Sequence, residues 1–165
     1  MAIVDTLKRC ELFKDLDEGQ LNHLAELCRD ESYRQGYTIF KEGTKAKEFY
    51  ILTDGQLSLE IELRPVQDLP AIPTSMQVIT ESECFGWSAI IGVSYTQTAR
   101  CMTPCKVLAI KGDIFLNAMA NDLDMGYKVM RRLAQLIALR LSHMRLRITS
   151  GLGLTLLAKE LEGRK

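Results

Sequence analysis

The sequence predicts an α+β fold: N-terminal helices, an antiparallel β-roll of the double-stranded β-helix or jelly-roll type, a short helix inside the roll, and a long C-terminal helix. Three observations predict it. Short β-prone runs separated by glycines fill residues 31–111, and each glycine supplies a turn that other residues enter with strain. Within them, Gln56 to Glu62 alternates, with Leu57, Leu59 and Ile61 on one face and Ser58, Glu60 and Glu62 on the other, which gives a strand one buried and one wet face. Beyond residue 112 the apolar spacing changes to steps of three and four, the period of a helix.

Taken in order, residues 1–30 read as a helical segment. Asp17 is placed to cap a helix carrying Leu21, Leu24, Ala25 and Leu27, with Gln20 completing a capping box, and Leu12, Phe13 and Leu16 pin the segment to the body. The strands follow through residue 111. Residues 64–73 hold three of the four prolines and are expected to be an exposed connecting loop, since proline cannot donate to a ladder. Asp113 is expected to cap a short helix through Ala120, and Asp122 or Asp124 to open a long one reaching about Ile148, so that 112–150 holds the C-terminal helices. Along the long helix Met130, Leu133, Ile137, Leu141 and Met144 form an apolar stripe that must be covered by the roll or by a second subunit. Residues 151–165 form an apolar tail after two glycines, expected to fold back on the roll or dock on a partner.

The stretch with the most chemistry is 83–100. Phe85 and Gly86 run into Trp87, Ser88 and Ala89, which reads as a strand end, a glycine turn and a short helix whose free N–H groups suit an anion. Tyr95, Thr96 and Arg100 follow. Upstream, Arg34 to Gly43 and Phe49 to Gly55 set further β-prone runs between glycines.

In this order, the motifs resemble the cyclic nucleotide-binding domain family in its catabolite activator protein-like, β-roll sensor form. The similarity covers roughly residues 10 to 145. In that family the cassette typically reads Phe-Gly-Glu, one residue, Ala or Ser, Leu, and then, after a gap, an Arg followed by a small residue. The resemblance implies that Phe85, Gly86, Trp87, Ser88, Ala89, Tyr95 and Thr96 are the ligand-binding positions. It also shows a departure, because Trp87 stands where the family's ribose-binding Glu belongs and Tyr95 where its phosphate-binding Arg belongs. Arg100 lies five residues later than that Arg should. A hydrogen bond to a charged group contributes about 1.5–3 kcal/mol, and each 1.4 kcal/mol is about tenfold in affinity, so losing both anchors argues against ordinary cAMP binding. The backbone N–H groups of Gly86 to Ala89 survive any side-chain change and are expected to leave a weaker anion nest. Trp87 and Tyr95 either stack on a different small ligand or fill the old pocket, leaving a ligand-free interaction module.

Composition supports a single domain over 1–165. At 165 residues and 47% hydrophobic, the chain buries about two-thirds of its unfolded surface in one core. No apolar run approaches the roughly 20 residues that span a bilayer, and the first residues lack a signal peptide's basic and long apolar segments, so a cytoplasmic location is expected. The five cysteines include no Cys-x-x-Cys pair and read as structural thiols, with Cys101 and Cys105 facing each other across Thr103-Pro104. His23 and His143 have no ligand-spaced neighbours, so no metal is expected. No ordered nucleophile, base and acid, no Walker-type loop and no His-rich pattern of the related cupin enzymes is present, and no catalytic residue is assigned.

The charge is uneven. Residues 1–124 hold 12 basic and 19 acidic side chains, whereas 125–165 hold 9 and 2. Lys128, Arg131, Arg132, Arg140, Arg145 and Arg147 all fall on the long helix. With about 15 residues after it and no helix-turn-helix, sequence-specific DNA reading is not expected. The basic face reads as solvated or protein-contacting, and in the family this helix often pairs with its twin, so a homodimer is expected.

Overall fold

The computed structural model describes residues 3–63 and 72–162, with side-chain surroundings up to Glu62 and from Ile72 to His143. Helix α1 (Ile3–Arg9), a 3-10 turn (Glu11–Phe13) and α2 (Glu18–Leu27) precede eight strands. These are β1 (Arg29–Tyr33), β2 (Thr38–Phe40), β3 (Glu48–Asp54), β4 (Leu57–Leu63), β5 (Ile72–Ile79), β6 (Cys84–Phe85), β7 (Thr98–Cys101) and β8 (Cys105–Lys111). Helix α3 (Ser88–Ile91) sits between β6 and β7, and α4 (Gly112–Asn121) and α5 (Leu123–Glu162) close the chain. The strands form two antiparallel four-stranded sheets, ordered β1-β8-β3-β6 and β2-β7-β4-β5.

Strands β3 and β8 are buried on both faces, and this divides the core in two. Phe49 and Ile51 of β3 and Leu108 and Ile110 of β8 join Leu7, Phe13, Leu24, Phe115, Met125, Val129 and Leu133 from the helices. Their alternate neighbours Tyr50, Leu52, Val107 and Ala109 face the roll interior with Phe40, Leu57, Leu59, Ile79, Phe85 and Tyr95. The roll therefore shares one sheet with the helical layer, so that packing against one is felt by the other.

Local signals fix several elements. The Asp17 side chain accepts the Gln20 N–H at 2.9 Å while Gln20 accepts the Asp17 N–H at 3.2 Å, completing the capping box. Gln20 is itself buried, and its Nε2 donates to Asp122 and Asp124 at 3.0 Å each. Asp122 accepts the Met125 N–H at 3.0 Å, which starts α5. Helix α4 differs from expectation: it opens at Gly112 after a non-capping Lys111, and Asp113 only accepts the adjacent Ile114 N–H. A Cβ at Gly112 would lie 2.4 Å from the Ala89 carbonyl, so glycine lets α4 sit against the cassette helix.

Two boundaries differ as well. The expected loop at 64–73 falls mostly outside the described residues, but Ile72 and Pro73 belong to β5, with Pro73 opposite Glu62. A proline is tolerated there because β5 is an edge strand. Helix α5 runs past Ile148 and both glycines to Glu162, which corrects the fold-back expected of the tail. A glycine costs about 1 kcal/mol in a helix interior, and no proline is present to stop the run. All five thiols are free. Burial, with a contact from Cys105, pushes Cys101 up to about 12, which leaves it a structural thiol. No helix among the described residues is long and apolar enough to cross a membrane.

Candidate functional site

The cassette begins where β6 pairs with β3, Phe85 opposite Tyr50. Gly86 then turns the chain at φ 74°, a conformation that favours glycine, and an added Cβ would meet the Glu48 carbonyl at 3.1 Å. Ser88 and Ala89 are buried in the short helix that follows. The Ala89 N–H is bonded to the Gly86 carbonyl at 3.1 Å, which removes it from the anion nest expected over Gly86 to Ala89.

Tyr95 is a core residue. Its ring lies 3.7 Å from that of Phe40 at an interplanar angle of 8°, and Phe85 stacks on Tyr50 at 5.1 Å. The Tyr95 hydroxyl donates to the Glu48 carbonyl at 2.8 Å and accepts the Glu48 N–H at 3.1 Å. Backbone bonds from Gly43 to Tyr95 and from Tyr95 to Thr44 strap the same residue to the β2–β3 loop. Burial raises its pKa, so it stays neutral. The space bounded by Phe40, Leu59, Gly86, Trp87, Tyr95 and Arg140 is about 20 Å³, room for about one water. Ordinary ligand pockets run from roughly 300 to 1,000 Å³.

Arg100 does not reach this space. It alternates with the buried Ala99 and Cys101, projects from the outer face of β7, and meets Glu60 at 3.3 Å. The cassette thus brings together Phe85, Gly86, Trp87, Ser88, Ala89 and Tyr95, with Thr96 exposed at its edge, and from Phe85 to Thr96 it contains neither a carboxylate nor a cation.

A cation arrives instead from α5. The Arg140 guanidinium carbon sits 4.1 Å above the centre of the Trp87 ring, and Nη2 donates to the Cys84 carbonyl at 2.9 Å. Burial lowers the Arg140 pKa. The buried Cys84 thiol is held low by a hydrogen bond from Cys10 and by the Arg140 charge. The sequence places Arg140 on a basic face expected to be solvated or protein-contacting. The available signal was its position seven residues, two helical turns, after Leu133, which puts a cation inside the apolar stripe.

Beside this contact, a groove of about 750 Å³ runs between the roll and α5, lined by Met76, Val78, Trp87, Thr96, Ile137 and Leu141 among others. A separate cavity of about 950 Å³ lies between the β2–β3 loop and the start of α4, with Lys45, Lys47 and Lys111 on its rim beside Glu48 and Asp113. Its charge is mixed and its lysines are exposed, so the groove carries the more specific chemistry.

The stripe on α5 divides. Leu133 is 1% exposed and packs in the helical core, which removes it from the expected interface. Met130, Ile137 and Leu141 are exposed, and the Met144 side chain lies outside the described residues. Much of the basic face is spent within the chain: Arg132 grips Asp15 through two bonds of 2.6 and 2.7 Å, Arg131 adds a third at 2.7 Å, and Lys128 pairs with Asp124 at 2.5 Å.

Comparison with known proteins agrees with this architecture. The model of the cyclic nucleotide-binding domain matches residues 30–122. A cyclic nucleotide-gated cation channel of Ictalurus punctatus is 32% identical over 90 residues, 54% of this chain and 12% of the channel. A cGMP-dependent protein kinase of Caenorhabditis elegans is 21% identical over 140 residues, 82% of this chain and 17% of the kinase. The chain therefore spans less than a fifth of either relative. Two solved structures share the fold. A cyclic nucleotide-binding domain from Methylobacillus flagellatus has a TM-score of 0.74 at 17% identity, covering 90% of this chain and 81% of that one. Thermus thermophilus catabolite activator protein has a TM-score of 0.69 at 21% identity, covering 84% and 62%. With the family model matching more than half of its length, this chain belongs to the cyclic nucleotide-binding domain family.

Proposed function

We propose that the chain is a non-catalytic regulatory domain that senses a small ligand in the groove between the roll and α5 and signals through that helix. The observation that carries this reading is the Arg140–Trp87 contact, which joins the long helix directly to the cassette. A ligand in the groove touches both partners of that contact. It shifts the helix only to the extent that it binds one helix position better than another.

Cyclic nucleotides are not the ligand in the ordinary mode. Trp87 and Tyr95 supply neither the carboxylate nor the guanidinium of the family's cassette, and the stacked Tyr95 and Phe40 rings line a space of only about 20 Å³ beside Trp87. Dimerisation along α5 through Met130, Ile137 and Leu141 is the proposed assembly, since these apolar side chains are exposed on one chain.

The same 20 Å³ space favours a second reading, a ligand-free interaction module whose pocket is filled by Trp87 and Tyr95. A thermal-shift panel of nucleotides and metabolites separates the two. A ligand at 100 times its dissociation constant adds about 2.7 kcal/mol to stability, so a clear rise in melting temperature with at least one compound supports the sensor. A flat panel supports the interaction module.

A further inference from the structure

A buried cation is costly unless acceptors or a counter-charge hold it. Arg140 is half-buried and desolvated, yet no carboxylate stands within ion-pair distance of it among the described residues. A guanidinium carries five N–H donors. One reaches the Cys84 carbonyl, and the others make no hydrogen bond among the described residues. Cys84, Glu83 and Cys10 act on Arg140 through space, and the Glu83 Oε2 is engaged by the Thr80 N–H and hydroxyl at 2.7 and 2.9 Å.

The groove around this cation is matched to an anion. No aspartate or glutamate lines it, and its polar lining residues besides Arg140 are Gln77, Thr96, Gln97 and His143. Its walls are largely apolar: Val78 and Leu141 are 43% and 66% exposed, and Ile61, Met76, Trp87 and Ile137 line it with them. The volume of about 750 Å³ suits a small organic molecule.

We propose that this groove binds a small organic oxyanion, its charged head on the unused N–H groups of Arg140 and its apolar, planar body against Trp87, Val78, Ile137 and Leu141. This rests on the sensor reading above and names the chemical class of its ligand. The anion-binding charge has moved from the cassette to the helix. Charge-assisted bonds to a guanidinium fork are strong and directional, so such a ligand bonds to the signalling element itself rather than to the roll alone.

The test uses two probes of one shape, 1-naphthoate and its neutral analogue 1-naphthamide. Trp87 is the chain's one tryptophan, so its indole N–H gives a single cross-peak in a ¹H–¹⁵N spectrum. Titration of the full chain is expected to move that peak to saturation with naphthoate, at least about tenfold more tightly than with naphthamide. Arg140→Gln is expected to abolish the difference, while Arg100→Gln on the outer face of β7 leaves it intact. Because Arg140→Gln also loosens α5, Arg140→Lys provides a second variant, which keeps the charge and is expected to retain part of the preference. Equal affinity for the two probes, a preference that survives Arg140→Gln, or an unmoved Trp87 peak with both would overturn the proposal. A thermal panel that still finds a ligand in those cases leaves the sensor reading standing, so the two failures are distinguishable.

Discussion

The hydroxyl of Tyr95 is clasped by the backbone of Glu48, donating to its carbonyl at 2.8 Å and accepting its N–H at 3.1 Å. The residue expected at the family's phosphate-holding position is thus a core side chain, tying the cassette to the start of β3. A neutral side chain with both partners satisfied has no reason to leave the core, and the Phe40 stack holds it from the other side.

Removing that hydroxyl leaves two backbone groups short of a partner. Tyr95→Phe is expected to lower stability by about 1–2 kcal/mol, read as a shift in urea midpoint without a change in slope. Tyr95→Arg, which introduces the residue the resemblance leads one to expect there, is expected to cost at least about 3 kcal/mol, because it removes a buried ring and buries a charge in its place. A Tyr95→Arg protein as stable as the parent and newly able to bind cAMP would show that the pocket reopens freely.

The Asp15 clamp predicts a particular acid response. Hydrogen bonds from Arg132 and Arg131 lower the Asp15 pKa from 3.8 to about 2. A carboxylate with a depressed folded-state pKa stabilises the protein above its unfolded pKa and loses that contribution as pH falls through the folded one. The stability difference between the parent and Asp15→Asn is therefore expected to be constant above about pH 4 and to shrink towards zero near pH 2. Denaturant melts across that range measure it, and a difference that grows on acidification contradicts the assignment.

On α5, neighbouring apolar positions are expected to respond differently. Leu133→Glu buries a charge in the helical core, where Leu133 is 1% exposed, and is expected to unfold the protein. Leu141→Glu changes a residue that is 66% exposed and is expected to keep the fold while splitting a dimer. Equilibrium sedimentation with circular dichroism reads both outcomes. A parent that is monomeric at high micromolar concentration removes the dimer.

DNA binding is expected to be weak and indifferent to sequence. Arg131, Arg132 and Lys128 are committed to Asp15 and Asp124, which withdraws three cations from those that would displace counterions from phosphates. Fluorescence anisotropy at physiological salt should show no duplex preferred over its scrambled version. A preference of about a thousandfold, the low end of true specificity, would mean that the chain reads DNA.

What the sequence displayed and what it hid follow from range. The Asp17 capping box spans three residues, the β4 alternation is local, and Gly86 marks its own turn, so each was legible from neighbours alone. The partners of Tyr95 and Arg140 lie 47 and 56 residues away, and no spacing rule reaches that far. Spacing placed Leu133, Ile137 and Leu141 on one helical stripe, but which part of it the body covers depends on where α5 leaves the core, and that is set by Gln20 and Asp15 gripping its first turns. The proline-rich segment was read by composition, and pairing with β4 drew Pro73 into an edge strand.

Isothermal titration calorimetry of cAMP and cGMP into purified, ligand-free protein tests the closed cassette most directly. With no carboxylate at position 87, no guanidinium at 95 and about 20 Å³ between them, neither nucleotide is expected to give saturable binding tighter than the high micromolar range, a loss of roughly a thousandfold from a micromolar ligand. Saturable binding of either at low micromolar concentration would contradict it and return the chain to the family's ordinary mode of recognition.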